Sequence, residues 1–260
     1  MIFETHRNRL LVVICGALIA LLMFGTALAT DFEFVMEIAV NPTPPFSGIG
    51  GIARVGEQWF TANYIDGWYV YDLDFNLVGT TTVTPDLSWP YGLVYDSNAG
   101  SVFITDGNTI YECTTDGEPV DSFPSTGQAL VALAFNPDND HLFAVHYAGY
   151  VAELTRNGVL VGSFTLSGDW WTGAAYDAVN GTLLVMTGDD QVQEYATDGT
   201  LLGTPLSGDC VYDNGLGLHY DADTGFLHAT GQFGDIGIWQ REVIVATENA
   251  SWGSVKALYR

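Results

Sequence analysis

The stretch Gly92-Leu93-Val94-Tyr95-Asp96 decides the fold, because related stretches recur along the chain at nearly equal steps. The copies start at residues 51, 92, 132, 173 and 217, in steps of 41, 40, 41 and 44 residues. The others read Gly51-Ile52-Ala53, Ala132-Leu133-Ala134-Phe135-Asn136, Gly173-Ala174-Ala175-Tyr176-Asp177 and Gly217-Leu218-His219-Tyr220-Asp221. Five copies of one supersecondary unit therefore fill most of the chain.

Each copy has the pattern of a four-stranded meander. In the second copy, short strands are predicted at 92–96, 101–105, 109–114 and 119–123, with Gly, Asn and Asp in the turns between them. One small sheet cannot bury both of its faces alone, so neighbouring copies must stack in a ring. The sequence predicts an all-β propeller of four-stranded blades, with five blades favoured and six as the alternative.

The two ends of the repeat region are expected to close the ring. An apolar strand from Phe34 to Val40 is predicted to pair in the last blade beside Ile238-Trp239-Gln240, which removes two exposed sheet edges. Val243-Ile244-Val245 competes for the same edge. We assign 31–250 to a single propeller domain, and 251–260 to a C-terminal tail or a closing strand.

Residues 1–29 have the pattern of a secretory signal peptide. Arg7 and Arg9 precede an apolar run from Leu10 to Phe24, and Ala27 and Ala29 form a small-x-small cleavage pattern. The alternative is an uncleaved membrane anchor, because the run approaches the length of a spanning helix. We expect cleavage, an extracellular or periplasmic location, and no stable membrane insertion of the mature chain.

The charge balance is strongly acidic. The chain has 31 Asp and Glu against 7 Lys and Arg, a formal net charge of −24. Nucleic-acid binding depends on clustered Lys and Arg, so that class of partner is excluded. We expect a monomer with two free thiols in the mature chain, Cys113 and Cys210. Cys113 matches the apolar positions Leu73, Leu154 and Tyr195 of other copies, which predicts packing between blades.

The repeat unit resembles the blades of NHL-type and gluconolactonase-like propellers. The resemblance rests on Gly-Leu-x-Tyr-Asp, a turn, an apolar strand, Asp-Gly-x, a second apolar strand and Thr-Asp-Gly, and it covers residues 51 to about 240. NHL members often have Asn-Arg before the third strand, where this chain has Asn108-Thr109, Gly149-Tyr150 and Asp190-Gln191. The lactonase-type members imply a divalent metal, held by Glu, Asn and Asp at the channel mouth, that activates water.

The candidate site is the mouth of the channel. The loops leading into each innermost strand (the lead-in loops) share one face with the loops between second and third strands, and binding residues concentrate on such loops. The residue four before each copy is polar: Ser47, Ser88, Gln128, Asp169 and Asp213. Carboxylates beside aromatic faces suit sugars and calcium. The candidate ligand-binding residues are Trp89, Tyr91, Gln128, Asp169, Trp170, Trp171, Tyr212, Asp213 and Asn214, and the candidate metal ligands are Asp169, Asp213 and Asn214.

Other polar residues have structural alternatives. The loop aromatics could plug the channel, with the Asp residues capping turns. A metal site also remains possible because the other loops of the same face contain acidic residues: Asp106, Asp189, Asp190 and Asp235. Glu112, Glu153 and Glu194 follow strand alternation and are predicted to be exposed on the third strand. His146 is the one histidine expected near the mouth, whereas His141 falls in a turn at the opposite face and His219 and His228 fall within strands.

These observations favour a secreted, non-enzymatic propeller that recognises a carbohydrate or a protein partner at the mouth. The alternatives are a calcium-dependent, lactonase-type hydrolase and a structural or envelope-associated repeat protein. No nucleophile-elbow, paired-cysteine zinc or phosphate-cradling glycine motif is present in the sequence.

Overall fold

The chain forms a five-bladed β-propeller in the computed structural model. The structure describes residues 31–40, 49–63, 65, 67–83, 87, 90–127, 129–168, 170–189, 191–207, 215–231 and 234–241. All regular elements in these ranges are β-strands, grouped in five antiparallel sheets of four strands. This confirms the all-β class and the choice of five blades. Within the same ranges, no helix is long and apolar enough to cross a membrane.

The first three blades each take four consecutive strands. Blade 1 contains β2 (Ile49–Val55), β3 (Gln58–Asn63), β4 (Gly67–Tyr71) and β5 (Leu77–Thr82). Blade 2 contains β6 (Leu93–Asp96), β7 (Ser101–Thr105), β8 (Thr109–Cys113) and β9 (Pro119–Pro124). Blade 3 contains β10 (Leu130–Asn136), β11 (His141–His146), β12 (Tyr150–Thr155) and β13 (Leu160–Thr165).

The last two blades complete the ring. Blade 4 contains β14 (Trp171–Asp177), β15 (Thr182–Thr187), β16 (Val192–Ala196) and β17 (Leu201–Leu206). Blade 5 contains β18 (Gly215–Asp221), β19 (Phe226–Gly231), β20 (Asp235–Arg241) and, as its outermost strand, β1 (Phe32–Ala39). The first strand of each group, β2, β6, β10, β14 and β18, contacts its counterparts in neighbouring blades, so these strands surround the channel.

The ring closes through β1, as the sequence predicts. β1 runs antiparallel to β20, with Phe34 opposite Trp239 and Met36 opposite Ile238. The rings of Phe34 and Trp239 meet edge to face, with centroids 5.8 Å apart. Blade 5 is therefore built from both ends of the described chain. The competing segment, Val243-Ile244-Val245, lies outside the described residues.

The innermost strands approach most closely at the residues that begin the repeat. A Cβ on Gly92 would lie 3.0 Å from Ala132 Cα, and one on Gly173 would lie 3.1 Å from the carbonyl carbon of Gly217. A Cβ on Gly217 would lie 2.8 Å from Gly51 Cα, where blade 5 meets blade 1. These small residues (Gly51, Gly92, Ala132, Gly173 and Gly217) form what we call the axial ring. The sequence repeat therefore marks the places where backbones of adjacent blades touch.

Apolar side chains fill the spaces between adjacent blades. Tyr176 of blade 4 stacks on Phe143 of blade 3, with centroids 5.9 Å apart, so this aromatic position packs between blades. Cys113 is a buried free thiol in the cluster shared by blades 1 and 2, and burial raises its pKa to about 12. Its predicted equivalence to Leu73 is wrong, because Leu73 is exposed and Tyr71 takes the matching buried place. Cys210 lies outside the described residues.

The axial ring makes a matched glycine test possible. Gly217→Ala places a methyl group 2.5 Å from Gly50 O, so we expect a loss of about 1–3 kcal/mol in the free energy of unfolding. Gly79→Ala on β5 meets nothing within 4 Å and should change stability by less than about 1 kcal/mol. Urea unfolding of both variants measures the difference. Equal stabilities would show that the blades do not depend on close approach at the axis.

Candidate functional site

Described residues of all five blades line a pocket of about 370 Å³ at one end of the channel. Blade 1 contributes Gly50, and blade 5 contributes Leu216. Blades 2, 3 and 4 contribute both larger side chains and loop backbone. The residues whose side chains give the pocket its character are Tyr91, Asp106, Asn108, Tyr147, Trp171 and Thr172. We call this cavity the mouth pocket and the end of the ring that contains it the mouth face.

Backbone hydrogen bonds between loops give the mouth pocket its shape. The Leu130 N–H donates to Gly107 O over 3.0 Å, which joins blade 3 to blade 2. The Tyr147 N–H donates to Ala129 O over 2.9 Å, and the Trp171 N–H donates to Tyr147 O over 3.4 Å. The walls are thus positioned by main-chain contacts within and between blades.

Three predicted ligand-binding residues lie in the described part, and they take different places. Tyr91 is half-buried and Trp171 is fully buried, and both line the mouth pocket. Much of the Trp171 indole belongs to the core between blades 3 and 4, with its ring edge to face with Tyr195. Its indole N–H has no hydrogen-bond partner among the described residues.

Trp170 differs sharply from its neighbour. It is 58% exposed and has a left-handed φ of 64°, which is unusual for a bulky residue. Its ring lies 6.2 Å from that of Tyr147, and its carbonyl accepts a hydrogen bond of 2.5 Å from the Gly188 N–H. Backbone strain of this kind concentrates at functional sites. Trp170 and Tyr147 together form an exposed aromatic pair beside the pocket.

The other candidates lie outside the described residues. These are Trp89, Gln128, Asp169, Tyr212, Asp213 and Asn214, which include every proposed metal ligand. Among the residues that are described, no group of three or more His, Cys, Asp or Glu side chains could hold a metal ion. The described acidic residues of the mouth face, Asp106, Asp189 and Asp235, do not form such a group.

Sequence reasoning did not select Tyr147 as a ligand-binding residue, although it lines the pocket. The usable signal is its place in the loop between the second and third strands of blade 3, where blade 2 has Asp106-Gly107. His146, expected near the mouth, is buried below the surface, with its ring 5.3 Å from that of Tyr150. It is not among the residues that line the pocket.

Comparison with known proteins adds no family to this geometry. The sequence matches no protein-family model and no curated protein. The five-bladed architecture supports a propeller-type relationship.

Buried ion pairs hold adjacent blades together at the opposite face. Arg241 of blade 5 donates to Asp177 Oδ2 over 3.0 Å and to Glu194 Oε2 over 2.5 Å, both in blade 4. Its guanidinium also lies 4.9 Å from the ring centroid of Phe32 on the closing strand. Burial lowers the pKa of Arg241, but the hydrogen bonds and charge of Glu194 outweigh it, so the net pKa is raised.

Arg156 repeats this arrangement between blades 3 and 2. It lies at the same repeat position as Arg241, at the end of the third strand, and its guanidinium bonds Asp96 Oδ2 over 2.7 Å. It also bonds Ser101 and Glu112. The predicted exposure of Glu112 and Glu194 is therefore wrong, because each is only 3% exposed. Glu153 is half-buried and bonds His141 Nδ1 over 2.6 Å. Strand alternation did not reveal an arginine that reaches across from the next blade.

Two of the three described arginines, one buried and one exposed, allow a graded test. Arg241→Met leaves two buried carboxylates unpaired, so we expect a loss of about 3–5 kcal/mol in the free energy of unfolding. Arg54→Met removes one contact to Asp221, at an arginine side chain that is 41% exposed, and should cost about 0–1 kcal/mol. Chemical denaturation of both variants gives the two values. Similar losses in the free energy of unfolding for the two variants would show that burial of the arginine does not determine how much its ion pairs stabilise the fold.

A pair of histidines lies beside a second cavity, of about 460 Å³, at the opposite end of the channel. His219 on β18 faces His228 on β19, and their rings lie 5.3 and 4.4 Å from that of Trp59. Burial lowers the pKa of His219 to about 4 and lowers that of His228 well below its usual value, with smaller effects from nearby charges, including Arg54. Both histidines are therefore neutral in the folded protein near pH 7.

These shifts predict loss of stability in mild acid. The unfolded chain takes up protons below a pH of about 6.5, whereas folded His219 stays neutral to about 4. Stability should therefore fall as pH decreases from about 6.5 towards 4. His228→Phe should flatten this slope, and melting temperatures between pH 7 and 5 measure it. An unchanged slope would show that other groups cause it.

Proposed function

We propose that this protein is a secreted, non-enzymatic binding module that recognises a carbohydrate or a protein partner at the mouth face. One observation carries the proposal: all five blades contribute to a pocket with aromatic walls and a few polar groups. Concave, mainly apolar sites with few polar groups are typical of ligand binding. The proposal includes a monomeric state, with the partner bound by one ring.

The exposed aromatic pair supports the same location. Tyr147 is 41% exposed and Trp170 is 58% exposed, and they lie together beside the pocket. Tyr and Trp contribute strongly at binding surfaces, because they bury large areas with little loss of side-chain freedom. Sugar rings stack on such faces, and protein partners pack against them.

The repeat pattern supports a relationship to NHL-like or gluconolactonase-like propellers. In the gluconolactonase-like case, calcium would be the metal and Asp169, Asp213 and Asn214 the proposed ligands. Their carboxylate and amide oxygens are of the type that calcium prefers. These three proposed ligands lie outside the described residues, and the observations that favour binding are the mouth pocket and its exposed aromatic pair.

The proposal predicts loss of binding when the exposed pair is removed. Protein is recovered from the medium or periplasm of the expressing cells, and an N-terminus at Thr30 would support export with cleavage. Glycan arrays and pull-downs then identify a ligand. The double variant Tyr147→Ala, Trp170→Ala should weaken its binding at least about tenfold.

The matched control is Phe34→Ala, which removes an aromatic ring that is 62% exposed on the closing strand, away from the mouth. It should leave binding unchanged, with melting temperatures checked for all variants. Ligand binding that survives loss of the aromatic pair would contradict the mouth-face assignment. Metal found in protein purified without chelator, together with calcium-dependent lactone turnover, would favour the hydrolase instead.

A further inference from the structure

One described carboxylate, that of Asp106, lines the mouth pocket together with the aromatic residues. Asp106 Oδ1 accepts hydrogen bonds from the backbone N–H groups of Asn108 and Thr109, over 2.9 and 2.8 Å. Its Oδ2 accepts one from the Tyr111 hydroxyl over 3.1 Å. These contacts fix the orientation of the carboxylate. Since a carboxylate has about four acceptor positions, Asp106 can accept a further donor from a ligand.

The ring of Tyr91 lies directly beside the Asp106 turn. A Cβ on Gly107 would be 3.8 Å from Tyr91 Cε2, which is ordinary van der Waals contact. The pocket thus has a negative group next to one aromatic wall, and Tyr147, which is 41% exposed, supplies another, whereas Trp171 is fully buried. Aromatic faces attract cations through the ring quadrupole, and quaternary ammonium groups are bound in such aromatic surroundings.

Charge is distributed unequally between the two faces. The described arginines, Arg54, Arg156 and Arg241, all pair with carboxylates of neighbouring blades at the face opposite the mouth. The described residues that line the mouth pocket include no Lys, Arg or His. With a formal net charge of −24 for the chain, the field at the mouth favours cations and opposes anions.

We propose that the mouth pocket binds an alkylammonium group, held between Tyr91 and Tyr147 and paired with Asp106. The inference rests on the proposed binding function and specifies its ligand chemistry. The group could come from a small quaternary amine or from a lysine side chain of a protein partner. A neutral sugar lacks the charge that this arrangement selects.

Choline and its uncharged carbon isostere, dimethylbutanol, test the inference directly because they have nearly the same shape. Calorimetry or ligand-observed NMR on the mature full-length protein should show choline binding at least about tenfold more tightly. Tyr147→Leu should weaken choline binding about three- to tenfold, because it keeps an apolar wall and removes the π face. Asp106→Asn should weaken it as well and reduce its dependence on salt.

Asp116→Asn is the matched control for charge. It removes the same carboxylate from an exposed turn at the opposite face and should leave choline binding within about twofold. A lysine peptide separates the two sources, with its acetylated, uncharged form as the control that should bind more weakly. Tighter binding of the lysine peptide than of choline indicates a protein partner, and the reverse indicates a small amine. Both results support the inference that the mouth pocket binds a cationic group.

Equal affinity for choline and dimethylbutanol would overturn the inference, as would an unchanged affinity in Tyr147→Leu or equal losses in Asp106→Asn and Asp116→Asn. If these tests fail while a glycan still binds and requires Tyr147 and Trp170, the binding function stands and the ligand class is wrong. If nothing binds in a way that depends on the mouth residues, both proposals fail.

Discussion

Close approach of backbones at the axial ring is the constraint on which this propeller depends. Five innermost strands must meet around one channel, and even a Cβ at Gly92, Gly173 or Gly217 would lie only 2.5–3.1 Å from the backbone of a neighbouring blade. With the axis fixed, the spaces between blades have a set width, and aromatic and aliphatic side chains fill them. The position of the described residues that line the mouth pocket follows from the same spacing.

The two faces of the ring use polar residues differently. At the opposite face, Asp96, Asp177 and Asp221 each end an innermost strand. One carboxylate oxygen of each accepts hydrogen bonds from N–H groups of the following turn, and the other bonds an arginine of the next blade. These residues hold adjacent blades together. At the mouth face, the described loops have carboxylates and aromatic rings without paired arginines. Stability and ligand recognition are therefore separated along the channel axis.

The fold could be predicted because its determinants are local and repeated. A Gly or Ala start, a terminal Asp or Asn and Gly-rich turns recur in nearly every copy, and the apolar N-terminal strand had one suitable edge to complete. The site was less predictable, since Tyr147 becomes a wall only when blades 2, 3 and 4 are placed around one cavity. The burial of Glu112 and Glu194 likewise depends on arginines more than 40 residues away, which strand alternation cannot show.

The pairing of β1 with β20 has a consequence for how the molecule reaches its native state. The two strands lie at opposite ends of the described chain, since Phe32 pairs with Arg241, so β1 can pair only after β20 has been synthesised. Closing so long a loop is slow because its entropic cost precedes the reward of the contacts. Before that event, β20 presents an unpaired edge and Arg241 lacks the ring of Phe32. We therefore expect blade 5 to be completed late in folding, with its unpaired edge open to pairing with other chains until then.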